Sequence, residues 1–201
     1  ACQNRILRRI GRIHSMEEFE ENYFAARKAG FKNINVDLMF GLPGQEMRDW
    51  AESVAKVAKL GAEHISCYGL NIEAGTPIAS YIESDPECLP GEDDEREMYG
   101  LAIDKLSRKG YVHYEISNFA RKGFECRHNL MYWDCGRYIG LGAGAHSYFE
   151  GKRYSNVREI EKYTDSLLMK NTAPVDKAEE IDGKTQMSEF MILGLRKVEG
   201  V

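Results

Sequence analysis

Two apolar, β-rich runs separated by one amphipathic helix constrain this chain more than any other feature. Residues Asn33-Ile-Asn-Val-Asp-Leu-Met-Phe40 read as a buried strand that enters the turn Gly41-Leu-Pro-Gly-Gln45. Residues 46–60 then bring Trp50, Val54, Val57 and Leu60 onto one helical face, and His-Ile-Ser-Cys-Tyr-Gly-Leu over 64–70 is the next strand. Antiparallel neighbours can be joined by a tight turn, whereas parallel ones need a long crossover. Strand, helix and strand at this spacing therefore predict a βαβ unit, with a parallel sheet and the crossover helix on its outside. Functional loops in such folds lie at the carboxyl ends of the strands.

The flanking segments extend the pattern. Residues 5–12 place Ile6, Leu7 and Ile10 at helical spacing up to Gly11. Ser15 followed by Glu18 is a capping-box signature, and Phe19, Tyr23 and Ala26 recur on one face until Gly30. After an irregular stretch over 73–94, a long helix over 94–109 leads to the strand Tyr111-Val-His-Tyr-Glu-Ile-Ser117, a third βα repetition. From residue 118 the chain becomes loop-rich and aromatic, with two further helices over 157–169 and 184–196 joined by a polar linker around Pro174. The chain starts inside a helix-forming segment and stops at Val201 just after a periodic helix, which reads as an interior piece of a longer protein.

Composition excludes several functions. The 201 residues are 43% apolar, enough to bury a sizeable core, and 27 basic against 32 acidic residues leave a net charge of −5. No basic face announces a nucleic-acid partner. No apolar run reaches the roughly 18 to 20 residues that span a bilayer, and the first residues form no signal peptide, so a cytoplasmic location is expected. Cys2, Cys67, Cys88, Cys126 and Cys135 are an odd set without Cys-x2-Cys spacing, which argues for reduced thiols and against a locally assembled zinc or iron–sulfur site.

Five features are candidates for chemistry. Asp37 lies in an otherwise apolar strand, where a carboxylate is costly to bury; it either accepts hydrogen bonds from ligand hydroxyl or ammonium groups or is tied to a neighbouring amide or arginine. Arg12, at the end of the first helix, offers a planar fork suited to a carboxylate, although on pattern alone a cation answering the helix dipole is the better reading. Cys126-Arg-His-Asn-Leu-Met-Tyr-Trp133 gathers an imidazole, an amide and two large aromatics outside any expected element. Imidazole ligates haem iron and aromatics wall a planar macrocycle, yet a lone histidine is more often structural. Gly140, Gly142 and Gly144 miss the dinucleotide-binding spacing by one residue and predict close backbone packing, while Gly41-Leu-Pro-Gly-Gln45 lacks the Lys-Ser/Thr of a P-loop and is a tight turn.

Taken together, Ile10-Gly-Arg-Ile-His14, Asn35-Val-Asp-Leu-Met-Phe-Gly-Leu-Pro-Gly-Gln45, His64-Ile-Ser-Cys-Tyr68, Gly75-Thr-Pro77, Tyr114-Glu-Ile-Ser-Asn-Phe-Ala120, Arg127-His-Asn-Leu-Met-Tyr-Trp133 and Gly140-Leu-Gly-Ala-Gly-Ala-His-Ser147 resemble the HemN/HemW family of radical S-adenosylmethionine proteins, on the HemW haem-chaperone branch. The resemblance runs from end to end. It implies an α/β fold: the C-terminal part of a partial (β/α)6 TIM-like barrel, a loop-rich segment, and the start of a small helical C-terminal domain. The implied boundaries are 1–118 for the second half of the barrel, 119–175 for the haem-motif and connecting segment, and 176–201 for the opening of the helical domain.

The cofactors implied are S-adenosylmethionine, a four-iron four-sulfur cluster and haem. Arg12 would pair with the methionyl carboxylate, Asp37 would contact the cofactor from its strand, and Asn71 would line the same pocket. The cluster's Cys-x3-Cys-x2-Cys loop is absent from this chain, and none of its five cysteines takes that role. His-Asn-x-x-Tyr-Trp sets HemW-like proteins apart from the oxidases, making His128 the expected haem-iron ligand with Asn129, Tyr132 and Trp133 around it. The implied function is haem binding and delivery to an acceptor protein, with transient contact to membrane or respiratory-chain proteins and a homodimer as further expectations. The alternative is oxygen-independent coproporphyrinogen III oxidase, an oxidative decarboxylation.

Overall fold

A computed structural model describes residues 1–201 as two units, Ala1–Glu125 and Cys126–Val201. In the first unit the expected βαβ core is present. Strand β1 (Asn35–Phe40) and strand β2 (His64–Gly69) pair in parallel from Asn35 opposite His64 to Phe40 opposite Gly69. Val36, Leu38 and Phe40 alternate inward to the core, while Asn35, Asp37 and Met39 occupy the other face.

Helices cover the apolar face. Helix α1 (Asn4–Arg9) is tied to the start of helix α3 (Met47–Leu60) by Arg5, which pairs with the buried Asp49 at 2.5 Å. Helix α2 (Met16–Lys28) begins with the predicted capping box: Ser15 Oγ accepts from Glu18 N and the Glu18 carboxylate accepts from Ser15 N. Trp50 of α3 is 0% exposed, and its Nε1 donates to the Met98 carbonyl of helix α5 (Glu92–Arg108) at 2.6 Å. Val54, Val57, Met98, Ala102 and Leu106 complete the layer. The Gly41–Gln45 segment is the tight turn expected of it, with positive φ at Gly41 and Gly44 and the Gln45 side chain bonded to Leu42 N and Met39 O.

Two expectations for this unit need correction. The irregular stretch contains helix α4 (Pro77–Ser84), started by Thr76 Oγ1 accepting from Ala79 N, with proline at the first helical position. The run 111–117 is not one parallel strand. It is strand β3 (Val112–Glu115) and a turn, after which strand β4 (Asn118–Ala120) returns antiparallel and inserts between β3 and β2, giving the order β1-β2-β4-β3. Phe119, 0% exposed, packs into the core and drives that insertion.

The second unit is richer in regular structure than its sequence suggests. Residues Arg127–Trp133 form helix α6, where a loop was expected. Strands β5 (His146–Phe149) and β6 (Lys152–Asn156) form a hairpin, and the supposed linker after Pro174 is strand β7 (Val175–Glu180), antiparallel to β6. β7 is exposed throughout and shows no apolar alternation; its charge pattern supports the pairing, because Lys152 meets Glu180 at 2.9 Å and Arg153 faces Glu179. Helices α7 (Ile160–Leu168) and α8 (Gly183–Gly194) complete the unit. The expected boundaries at 118/119 and 175/176 therefore fall inside β4 and β7, whereas the units divide at 125/126. No helix is long and apolar enough to cross a membrane.

Trp50→Ala should cost about 3–5 kcal/mol, because the cavity cannot collapse beneath three packed elements. Urea unfolding of the wild type and variant measures the difference.

Candidate functional site

The polar face of β1 borders a groove of about 340 Å³. Residues from both faces of β1 line it, so it wraps around the strand edge that has no hydrogen-bonded neighbour in the sheet. Arg12 and Asp37 both line this groove. Both are exposed, and no ion pair joins them or occupies either one. Strand alternation turns Asp37 away from the core, so its carboxylate is not buried. A guanidinium and a carboxylate, each available in one groove, suit a ligand that carries a carboxylate at one end and hydroxyl or ammonium donors at the other. Asn71 is exposed beyond the end of β2 and is not among the residues that line the groove.

Three residues not singled out from the sequence connect to Asp37. Asn35 Nδ2 donates to Asp37 Oδ1 at 2.7 Å, and Asn35 Oδ1 accepts from His64 Nδ1 at 2.7 Å. His64 Nε2 meets the Tyr114 hydroxyl at 2.8 Å. Burial, the largest influence, lowers the His64 pKa below its ordinary 6.5, although Asp37 and Glu125 act in the opposite sense. The sequence signal available was the alternation itself, which puts Asn35, Asp37, His64 and Ser66 on one face.

In the second unit, α6 sorts His128, Asn129, Tyr132 and Trp133 by face. His128 and Tyr132 are four residues apart on one face, and their rings meet edge-on at 4.8 Å; Tyr132 in turn meets Tyr138 at 4.6 Å. His128 is exposed. Asn129 and Trp133 share a face turned by about 100° from the first. Tyr132 and Trp133 help line a cavity of about 380 Å³ with Tyr138, Tyr148 and Leu193. Trp133 Nε1 is buried without an acceptor, and the Arg196 guanidinium stacks 4.3 Å above its ring. The Gly140–Gly144 segment packs its backbone closely as expected: Asn156 Nδ2 bonds the Gly140 and Gly142 carbonyls, and a Cβ at Gly140 would strike the His146 carbonyl.

No group of three histidine, cysteine or acidic side chains could hold a metal ion. The cysteines form no disulfide, and burial pushes the Cys67 thiol up to about 12, the opposite of what a thiolate ligand needs.

The chain is 40% identical to the haem chaperone HemW of Bacillus subtilis (strain 168) over 196 residues, covering 98% of this chain and 52% of that protein. It is a HemN/HemW-like chain. Identity with HemW of Lactococcus lactis (strain IL1403) is 39% over 201 residues, again 98% of this chain and 52% of the relative. The fold matches Escherichia coli coproporphyrinogen III oxidase, HemN, described as a radical SAM enzyme, with a TM-score of 0.76 at 19% identity over 96% of this chain and 47% of that one. The mixed α/β architecture is accordingly that of the HemN radical SAM fold. No family model matches the chain. The chain spans about half the length of the HemW proteins it matches.

His64 titrates lower in the folded chain than in the unfolded one. The unfolded chain takes up a proton before the folded one, so the stability contributed by neutral His64 is complete above 6.5 and is lost as pH falls through and below that value. Unfolding free energies measured between about pH 5 and 8 should fall on acidification. His64→Gln should flatten that dependence.

Proposed function

We propose that this chain is part of a haem-binding protein of the radical SAM class that passes haem to an acceptor protein, with His128 as the ligand to haem iron. The observation that carries the proposal is an exposed imidazole on α6, stacked edge-on against Tyr132 beside an aromatic cavity, in a chain whose relatives are named haem chaperones. The surroundings fit a haem group: His128 is solvent-accessible, Tyr132 and Trp133 offer apolar ring surface, and the buried Trp133 N–H lacks an acceptor. Asn129, on the neighbouring helix face, is the remaining member of the haem motif.

S-adenosylmethionine fits the first unit in the same sense. Arg12 would hold the methionyl carboxylate through its fork, and Asp37 would accept from hydroxyl or ammonium groups of the same ligand. When bound at a reduced cluster, this cofactor supplies radical chemistry. The iron–sulfur cluster does not fit the residues present, which hold no suitable ligand set, so its ligands belong to other parts of the full-length protein. The oxidase reading is supported only by fold likeness at 19% identity, and the HemW relatives outweigh it.

Haem titration of the full-length protein, followed by Soret absorbance, tests the proposal. Wild type should give a saturable band, and His128→Ala should weaken binding by roughly tenfold or more through loss of the axial ligand. Equal binding by both proteins would remove the proposal's main support.

A further inference from the structure

The hydrogen bonds behind Asp37 have a direction that can be derived. A carboxylate oxygen only accepts, so the group of Asn35 that touches Asp37 Oδ1 at 2.7 Å is its Nδ2 amide. That orientation turns Asn35 Oδ1 to His64, and because Oδ1 also only accepts, the ring proton of His64 sits on Nδ1, 2.7 Å away. In the neutral ring, favoured by burial at 6% exposure, Nε2 is then the acceptor for the Tyr114 hydroxyl at 2.8 Å. Ser66 Oγ donates to the same Asn35 oxygen at 3.2 Å. The proton donors therefore all run one way, from Tyr114 through His64 and Asn35 to Asp37. The relay crosses three strands, since Asn35 and His64 are register partners on β1 and β2 and Tyr114 lies on β3. One oxygen of Asp37 is held by this relay, and Oδ2 has no donor from the protein.

We propose that His64 is a positioning residue for ligand recognition at the groove: as the Nδ1–H tautomer it locks Asn35, and through Asn35 it fixes the Asp37 carboxylate so that the remaining oxygen is presented to hydroxyl donors of S-adenosylmethionine. The inference rests on the reading of the groove as the site of that cofactor. His64 and Tyr114 lie 27 and 77 positions beyond Asp37 in the chain, and only strand pairing brings them into line with Asn35 behind it. An exposed carboxylate on a strand edge would otherwise rotate among several orientations, and holding it in advance removes that entropy from the cost of binding.

The test measures S-adenosylmethionine affinity by calorimetry in the full-length, cluster-reconstituted protein. An asparagine in place of histidine can put an amide N–H where Nδ1–H was, whereas a glutamine reaches the Nε2 position and leaves Asn35 Oδ1 with only the longer Ser66 bond, at 3.2 Å. His64→Gln should weaken binding roughly tenfold, the scale of losing one supporting hydrogen bond, and His64→Asn should remain within about twofold of wild type. In an Asp37→Ala background, His64→Gln should have no further effect, the non-additivity expected of residues that act in series. Equal losses in the Gln and Asn variants would reduce His64 to a packing residue and overturn the proposal, as would wild-type affinity in His64→Gln. An Asp37→Ala protein that binds like wild type would instead sink the reading of the groove itself, so the two failures are distinguishable.

Discussion

In-register parallel pairing of β1 with β2 is the constraint on which the first unit depends. Side chains alternate with a period of two, so this pairing sends Val36, Leu38, Phe40, Ile65 and Cys67 to one layer and Asn35, Asp37, His64 and Ser66 to the other. A slip of one residue would drive Asp37 into the apolar layer beneath α3 and expose Leu38. Trp50, wedged under β1 and bonded to α5, opposes that slip because its ring fills space shaped by Phe40, whose ring centroid lies 5.4 Å away. The same alternation that builds the core thus builds the polar wall of the groove.

Legibility followed periodicity. β1, α3 and β2 were readable because their apolar positions repeat at strand and helix spacing over enough residues, and the Ser15–Glu18 capping box was readable because its side chains act locally. β4 was not, since three residues carry no measurable period and its place beside β2 is decided by where Phe119 is buried. β7 was hidden for a different reason: its partners across the strand are charges, which sequence reading assigns to solvent. The helix at Arg127–Trp133 was masked by its own chemistry, as histidine, asparagine and aromatics are indifferent helix formers.

The site was partly legible for the same reasons. Arg12 and Asp37, 25 positions apart in the chain, both line one groove, and His128 and Tyr132 lie against each other on one helix face. Asn71 stands outside the groove's lining, because the chain leaves β2 before reaching it. His64 and Tyr114 lie in strand-forming runs of the sequence; only cross-strand pairing places them in a line of hydrogen bonds ending on Asp37. Contacts between strands are fixed by register, which is a property of the fold and not of any one segment.

Two chemistries lie in this HemN/HemW-like chain: a groove lined by a guanidinium and a carboxylate, and an aromatic helix face with an accessible imidazole. The central claim is that the imidazole reaches iron. Resonance Raman spectra of the ferrous, haem-loaded full-length protein report an iron–histidine stretch directly. The account predicts that band in the wild type and its loss in His128→Ala; the same band in both proteins would contradict it.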